Sequence, residues 1–312
     1  MNLFVSLKYL VALDDHRHFG RAALACSVTQ PALSNAIRAL EENFGTSIVK
    51  RGRNFAGFTA EGERILATGR SMLREYELLR QDLDSREGAP AGNLMIGSVP
   101  TAMPIAARFA AMLQDRHPGI TPAVRSMSSI DLETGLESLA LDMALGYTER
   151  IDAGRAPVRV VPQYVEHYFL LRRAAAPEGQ GLRIGAPTTW QEAASLPLCL
   201  LSPEMHNRTI VDRAFAAIGA SPKPVIETNS ILTLALSVQA GRVVSIMPGA
   251  LVDVVEGYSA LEALPLTSPA VEVPIAFMLH ESNRPSRTLE AALAFAQEPA
   301  WLGEVARHAG KK

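Results

Sequence analysis

The segment from Val28 to Gly45, VTQPALSNAIRALEENFG, spells one helix with two unlike faces, and it constrains the fold more than any other stretch of the chain. Thr29 is placed to cap it, Pro31 falls in the first turn where a missing N–H costs nothing, and Gly45 is placed to end it. Leu33, Ile37 and Leu40 recur at helical spacing as one buried stripe. Pro31, Ser34, Asn35 and Arg38 fall on the opposite side. A solvated helix face is usually rich in Glu and Lys. This one offers small, hydrogen-bonding groups and then a cation, which suits a major groove where short side chains reach base edges. The competing interpretation is a small helical domain with a polar face, and this segment alone does not separate the two.

Its neighbours add weight. Leu3, Leu7, Leu10, Val11 and Asp14 outline a first amphipathic helix, and a second runs from about Phe19 to Cys26. His16 and His18, near the end of the first helix, read as solvent-facing groups or dipole partners rather than metal ligands. Lys50, Arg51 and Arg53 would sit on a hairpin wing beside phosphates. Over residues 1–59 there are seven Lys and Arg against four Asp and Glu, yet the whole chain carries a net charge of −2. Coating nucleic acid by bulk charge is therefore excluded, and any contact must come from this local surface. With 312 residues, 48% hydrophobic and 20% charged, the composition is that of an ordinary soluble protein of about two domains.

The run HFGRAALACSVTQPALSNAIRALEENFGTSIVKRG (18–52), followed by GFTAEGERIL (57–66), resembles the DNA-binding end of LysR-type transcriptional regulators. The likeness lies in an aromatic before the Ala-Ala pair, a Thr-Gln-Pro-Ala-Leu-Ser entry, and Leu-Glu-Glu before Phe-Gly, all in order. It implies a winged helix-turn-helix domain over 1–58, with helix 30–43 in the major groove and Lys50 to Arg53 on the wing. Thr29, Gln30, Pro31, Ser34, Asn35, Arg38, Lys50, Arg51 and Arg53 are then the DNA-binding set. Asn35-Ala36 stands where many members carry a bulkier, often basic pair, and Val49 replaces the usual Phe, so the operator sequence does not follow from the likeness.

Residues 59–88 contain no proline, and Thr59 can cap a helix whose first turn carries Glu61 and Glu63. Ile65, Gly69, Met72, Tyr76, Leu79 and Leu83 step alternately by four and three, the repeat of a coiled-coil seam. About 28 residues at ~1.5 Å each make a rod of roughly 40 Å. The seam predicts dimerisation; the bland alternative is one long helix packed on its own domain. Two-fold pairing would present two recognition helices to one DNA face. The stretch from Glu87 to Asn93, rich in Gly, Ala and Pro, reads as a hinge.

Beyond the hinge, strands at about 94–99, 122–127 and 141–146 alternate with helices at about 101–116 and 130–140, which demands a parallel sheet. RVVPQYV and HYFLLRR then lead to a second lobe holding LPLCLLS, a helix over about 208–218, PVIETNS, a helix to Ala240 and VVSIMP. EVPIAFML and a helix over about 285–297 return to the first. This matches the family's two-lobed, periplasmic-binding-like α/β effector domain, here 89–312, with lobe I about 91–165 and 267–312 and lobe II about 166–266. Ligands of such a fold bind between the lobes, at strand ends and helix starts. Those places hold Ser98, Pro100, Thr101, Ser128, Ser129, Ser202, Met205, His206, Asn207, Asn229 and Ser230, with Ser245 inside a strand pointing inward. Helix N–H groups flanked by hydroxyls favour a small anion, so the expected effector is a small organic acid. Each hydroxyl taken singly is more often a plain N-cap.

The expected function is thus a sequence-specific DNA-binding regulator whose operator binding and DNA bending respond to an effector held between two lobes. One alternative is a redox-responsive regulator of the same architecture. For that reading Cys199 lies in an apolar run and Cys26 at a packing position, whereas Met205 is open to oxidation. Another is a small-molecule binder without DNA activity. No G-x-S-x-G elbow, G-x-G-x-x-G, P-loop, H-E-x-x-H or metal-spaced Cys pair occurs, so no enzyme, catalytic residue, metal or cofactor is expected. The expected partners are double-stranded DNA with dyad symmetry, a small-molecule effector and RNA polymerase. The chain is expected to form a homodimer assembling to a homotetramer in the cytoplasm, without membrane contact.

Overall fold

The computed structural model describes all residues except 1, 51–54, 85–88, 150–157, 176–180, 282–284 and 311–312. The chain divides into two compact units, one of Met1–Ser85 with Ser138–Ala140, the other of Arg86–Glu137 with Leu141–Lys312.

The first unit holds α1 (Leu3–His16), α2 (Phe19–Ala25), α3 (Gln30–Phe44) and α4 (Ala60–Asp84). Its core joins Leu7, Leu10 and Leu13 to Ala22 and Ala23, the Leu33–Ile37–Leu40 stripe, and Ile48, Phe58 and Leu66. Thr29 Oγ1 accepts from the Ala32 amide, and Gly45 ends α3 with φ +64°, as the sequence predicts. Thr59 does two jobs at the start of α4: its hydroxyl donates to the Ser47 carbonyl at 2.6 Å and accepts from the Gly62 amide at 2.9 Å. Arg70 then ties α4 to the end of α1 through Asp14 and Asp15, at 2.8 and 2.7 Å.

The α4 seam divides in two. Ile65 is half-buried and packs on the unit's own core, and Gly69 is buried against Leu7 of α1, so the close crossing this glycine permits is within the chain. Met72, Tyr76, Leu79 and Leu83 stay exposed. The hinge expected from Glu87 onward begins outside the described residues.

The second unit is built on two mixed sheets. In the first, β1 (Gly92–Ser98) lies parallel between β2 (Ile120–Ser126) and β3 (Met143–Tyr147), and β12 (Val273–His280) runs antiparallel between β3 and β4 (Val158–Glu166). The second sheet runs in the order β6 (Arg183–Ile184), β11 (Leu261–Thr267), β5 (Tyr168–Arg173), β10 (Val244–Pro248), β8 (Leu198–Leu201), β9 (Ile226–Thr228), with β7 (Thr188–Thr189) also on β11. The helices are α5 (Met103–Arg116), α6 (Ser129–Glu137), α7 (Trp190–Ala194), α8 (His206–Ala217), α9 (Ile231–Ala240), α10 (Gly249–Val254), α11 (Arg287–Phe295) and α12 (Pro299–His308). The chain crosses between sheets at His167, and again between Thr267 and Val273.

Two differences from the sequence reading have physical causes. The helix expected from Thr101 begins as a 3-10 turn, Pro100–Ala102, and turns α-helical at Met103, because Pro104 can donate no N–H and therefore belongs in a first turn. Strand β11, internal to the second sheet, escapes a pattern search because Pro265 breaks its run. Helix α12 also goes unpredicted, although Trp301 is fully buried and edge-on to Phe109. Among the described residues no helix is long and apolar enough to cross a membrane.

Candidate nucleic-acid interface and lobe junction

In the first unit, α2 and α3 meet as a helix-turn-helix. His18 turns out to be a cap: its Nδ1 accepts from the Gly20 and Arg21 amides at 3.0 and 3.3 Å. Thr29, Gln30, Pro31, Asn35 and Arg38 are exposed and Ser34 is half-buried, so the outer face of α3 is free to meet another molecule. Beside it, Lys50 N donates to Gly57 O and Thr59 N to Ile48 O, both at 2.9 Å, closing the base of an antiparallel hairpin around the Val49–Phe58 bridge. This is the expected wing. Lys50 is exposed at its base, while Arg51 and Arg53 lie outside the described residues. Sequence reasoning missed the group that fixes the wing to α3. The Glu41 carboxylate accepts from the Ile48 and Val49 amides at 2.8 and 3.2 Å, and so orients the hairpin relative to the recognition helix. A Glu late in a helix and seven residues from a strand is the only trace it leaves in sequence.

In the second unit, a buried polar cluster gathers where the two sheets join. The Tyr147 hydroxyl, at the end of β3, lies 2.7 Å from Thr101 Oγ1 and donates to Glu166 Oε2 at 3.3 Å. Tyr164 donates to the other carboxylate oxygen at 3.5 Å. From the start of α8, Asn207 Nδ2 donates to the hydroxyls of Tyr147 and Tyr168, at 3.4 and 3.1 Å, and the His206 ring packs on Tyr147 with centroids 4.9 Å apart. Thr101, Tyr147, Glu166, Tyr168 and Asn207 are all buried. The cluster therefore binds the turn after β1, the ends of β3 and β4, the start of β5 and the start of α8 into one network.

Burial sets its electrostatics. It pushes the Glu166 carboxyl up to about 8, outweighing the hydrogen bonds from Tyr147 and Tyr164 that pull it downward. Burial, and then the charge of Glu166, lifts Tyr147 and Tyr164 well above the ordinary phenol range. Tyr168 is lifted well above it too, by burial first and then by Tyr147 and Glu166.

Of the residues singled out by sequence, the structure brings Thr101, His206 and Asn207 into this cluster. Met205 is half-buried at the N-cap position of α8, and Ser202 accepts its amide at 3.0 Å. Pro100 is half-buried, and the Ser129 hydroxyl at the start of α6 has no hydrogen-bond partner among the described residues. Others are turned elsewhere. Ser98 donates to its neighbour's carbonyl, Ser128 caps α6 by accepting from the Asp131 amide, and Asn229 is exposed. Ser230 caps α9. Ser245 is registered between Leu171 and Cys199, two members of the second sheet's apolar core, so its buried hydroxyl lies on the core face. Tyr147, Tyr164, Glu166 and Tyr168 were missed. A signal for three of them exists: Tyr164, Glu166 and Tyr168 alternate along the crossing, so an extended backbone puts them on one face.

Comparison with known proteins agrees with this architecture. Residues 4–63 match the bacterial regulatory helix-turn-helix proteins of the lysR family, and residues 87–300 match the LysR substrate binding domain. A hydrogen peroxide-inducible genes activator from Haemophilus influenzae is 28% identical over 252 residues, 78% of each chain. A full-length OxyR variant from Pseudomonas aeruginosa has the same fold with a TM-score of 0.69 at 24% identity, covering 94% of this chain and 97% of that one. CbnR in complex with its target DNA matches with a TM-score of 0.63 at 18% identity, covering 94% and 98%. A DNA-reading unit followed by a two-sheet binding domain, each matching its family over nearly its whole length, makes this chain a member of the LysR family of DNA-binding transcriptional regulators.

Proposed function

We propose that this LysR-type regulator grips an operator of dyad symmetry as a dimer joined along α4, and that a signal received at the junction of the two sheets resets its DNA contacts. The observation that carries the second half is the buried network itself. Thr101, Tyr147, Glu166, Tyr168 and Asn207 come from both sheets and share hydrogen bonds, so a change at one alters the seam between them. A shift in that seam would change how regulatory halves pair and how far apart the recognition helices stand, hence the bend of the DNA. Homotetramers and contact with RNA polymerase belong to the same reading.

As to the signal, a relative named for induction by hydrogen peroxide favours an oxidant over a small organic acid. The chain's own chemistry narrows how an oxidant would act. Cys199 is fully buried in β8 and burial pushes its thiol up, while Cys26 is pushed up by burial and by Asp15, so neither is primed as a thiolate. Met205, the residue before His206, is half-buried and packs on the apolar core of the second sheet, and its sulfoxide would convert that apolar contact into a polar one.

Gel shifts on a dyad-containing fragment test this, using wild type, Met205→Leu and a Cys26→Ser/Cys199→Ser double variant. Peroxide that changes the footprint of wild type and the double variant but not of Met205→Leu supports the oxidant reading. A carboxylate that raises the melting temperature and shifts the footprint while peroxide does nothing favours the organic acid instead. A footprint that no substitution in the cluster alters would remove the junction from the account.

A further inference from the structure

Asp142, Glu166 and Glu262 are the buried acids among the described residues, and each meets its desolvation differently. Asp142 accepts from the Met95 amide at 2.7 Å, and Glu262 is clamped by Arg172 and Arg183. Among the described residues Glu166 meets only phenols: Tyr147 at 3.3 Å and Tyr164 at 3.5 Å, both long for a bond to an anion. The titratable groups around it are Tyr147 from β3, Tyr164 on its own strand, Tyr168 from β5 and His206 from α8, which stacks on Tyr147. Next along the chain, His167 Nδ1 faces Glu272 Oε1 on the second crossing at 3.8 Å. Among the described residues, no lysine or arginine acts on Glu166. A carboxylate so placed is an uncompensated buried charge; a carboxylic acid is not.

We propose that Glu166 stands as a neutral acid near neutral pH, and that loss of its proton opens the seam between the two sheets to water, making the junction a proton-coupled hinge. This rests on the junction being the place where the regulator is switched, and it names a proton as one input. An ionised Glu166 needs stronger donors than two distant phenols. The Tyr147 hydroxyl is already shared with Thr101 and Asn207, so the missing hydration must come from solvent entering where β4 passes into β5.

The test is an infrared difference titration of the full-length chain, paired with small-angle scattering over the same pH series. Wild type is expected to show a protonated-carboxyl carbonyl band that vanishes with a midpoint near pH 8, together with a step in scattering. Glu166→Gln should lack both the band and the step. Absence of the band from wild type at neutral pH overturns the proposal, and so does a step that survives in Glu166→Gln. Should the variant fail to fold, the wild-type band and the coincidence of the two midpoints still decide. Neither DNA nor signal is present, so a negative result here leaves the gel-shift test of the junction standing, and the converse also holds.

Discussion

Tyr147 Oη and Thr101 Oγ1 lie 2.7 Å apart in a fully buried contact, and the same phenol reaches Glu166 and Asn207. One hydroxyl therefore serves three partners from different elements. Replacing it with hydrogen in Tyr147→Phe leaves three buried polar groups short of a bond. We expect a loss of about 1–3 kcal/mol in a urea melt, with the operator response to its signal weakened in parallel. A variant as stable and responsive as wild type would demote the cluster to passive packing.

Glu166 also makes a prediction about pH. Its folded-state pKa, about 8, is raised above the ordinary value of 4.5. Its contribution to stability is therefore full below the unfolded value and is lost as pH rises through that interval to about 8. The slope attributable to it reaches about 1.4 kcal/mol per pH unit. Stability curves of wild type and Glu166→Gln should diverge in favour of the variant as pH rises across this window and run parallel above it.

Two glycines of α4 should respond very differently to alanine. A Cβ on Gly62 would collide with the Ile48 carbonyl oxygen, which belongs to the backbone at the base of the wing. A Cβ on Gly69 meets Leu7 Cδ2 at 2.9 Å, the end of a side chain that can rotate away. Gly62→Ala is expected to cost about 1–3 kcal/mol or more, and Gly69→Ala less than about 1, by chemical denaturation.

The exposed apolar positions of α4 predict an assembly defect without a folding defect. Leu79 is 57% exposed and Leu83 77%, so a charge at either removes little from the folded protomer. Leu79→Asp should leave the melting of dilute protein near wild type while weakening self-association at least about tenfold in sedimentation, the equivalent of ~1.4 kcal/mol.

The parts legible in sequence are those whose information is local. The Leu33–Ile37–Leu40 stripe, the Thr29 cap and the Gly45 stop lie within one helix, and each appears where its spacing puts it. The seam of α4 was legible as a period but not as a partner, because a repeat does not say whether Ile65 and Gly69 face a second chain or the protein's own α1. The junction was only half legible. Thr101, His206 and Asn207 follow recognisable strand-to-helix turns, whereas Tyr147 and Glu166 are strand residues that become polar partners only once β3 and β4 end at the same place. Glu41 is similar: the amides that donate to it, those of Ile48 and Val49, lie on a hairpin that sequence places nearby without fixing its orientation.

The claim beneath all of this is that the outer face of α3 reads duplex DNA. It is tested most directly by quantitative gel shifts of the full-length chain on a dyad-containing fragment and on a scrambled duplex over a salt series. Wild type should prefer the dyad, with affinity falling steeply as salt rises. Arg38→Ala should lose about 1–3 kcal/mol on the dyad and far less on the scramble, while Lys50→Ala should weaken both alike and reduce the salt slope by about one. Equal binding of wild type to both duplexes, untouched by Arg38→Ala, would contradict the account.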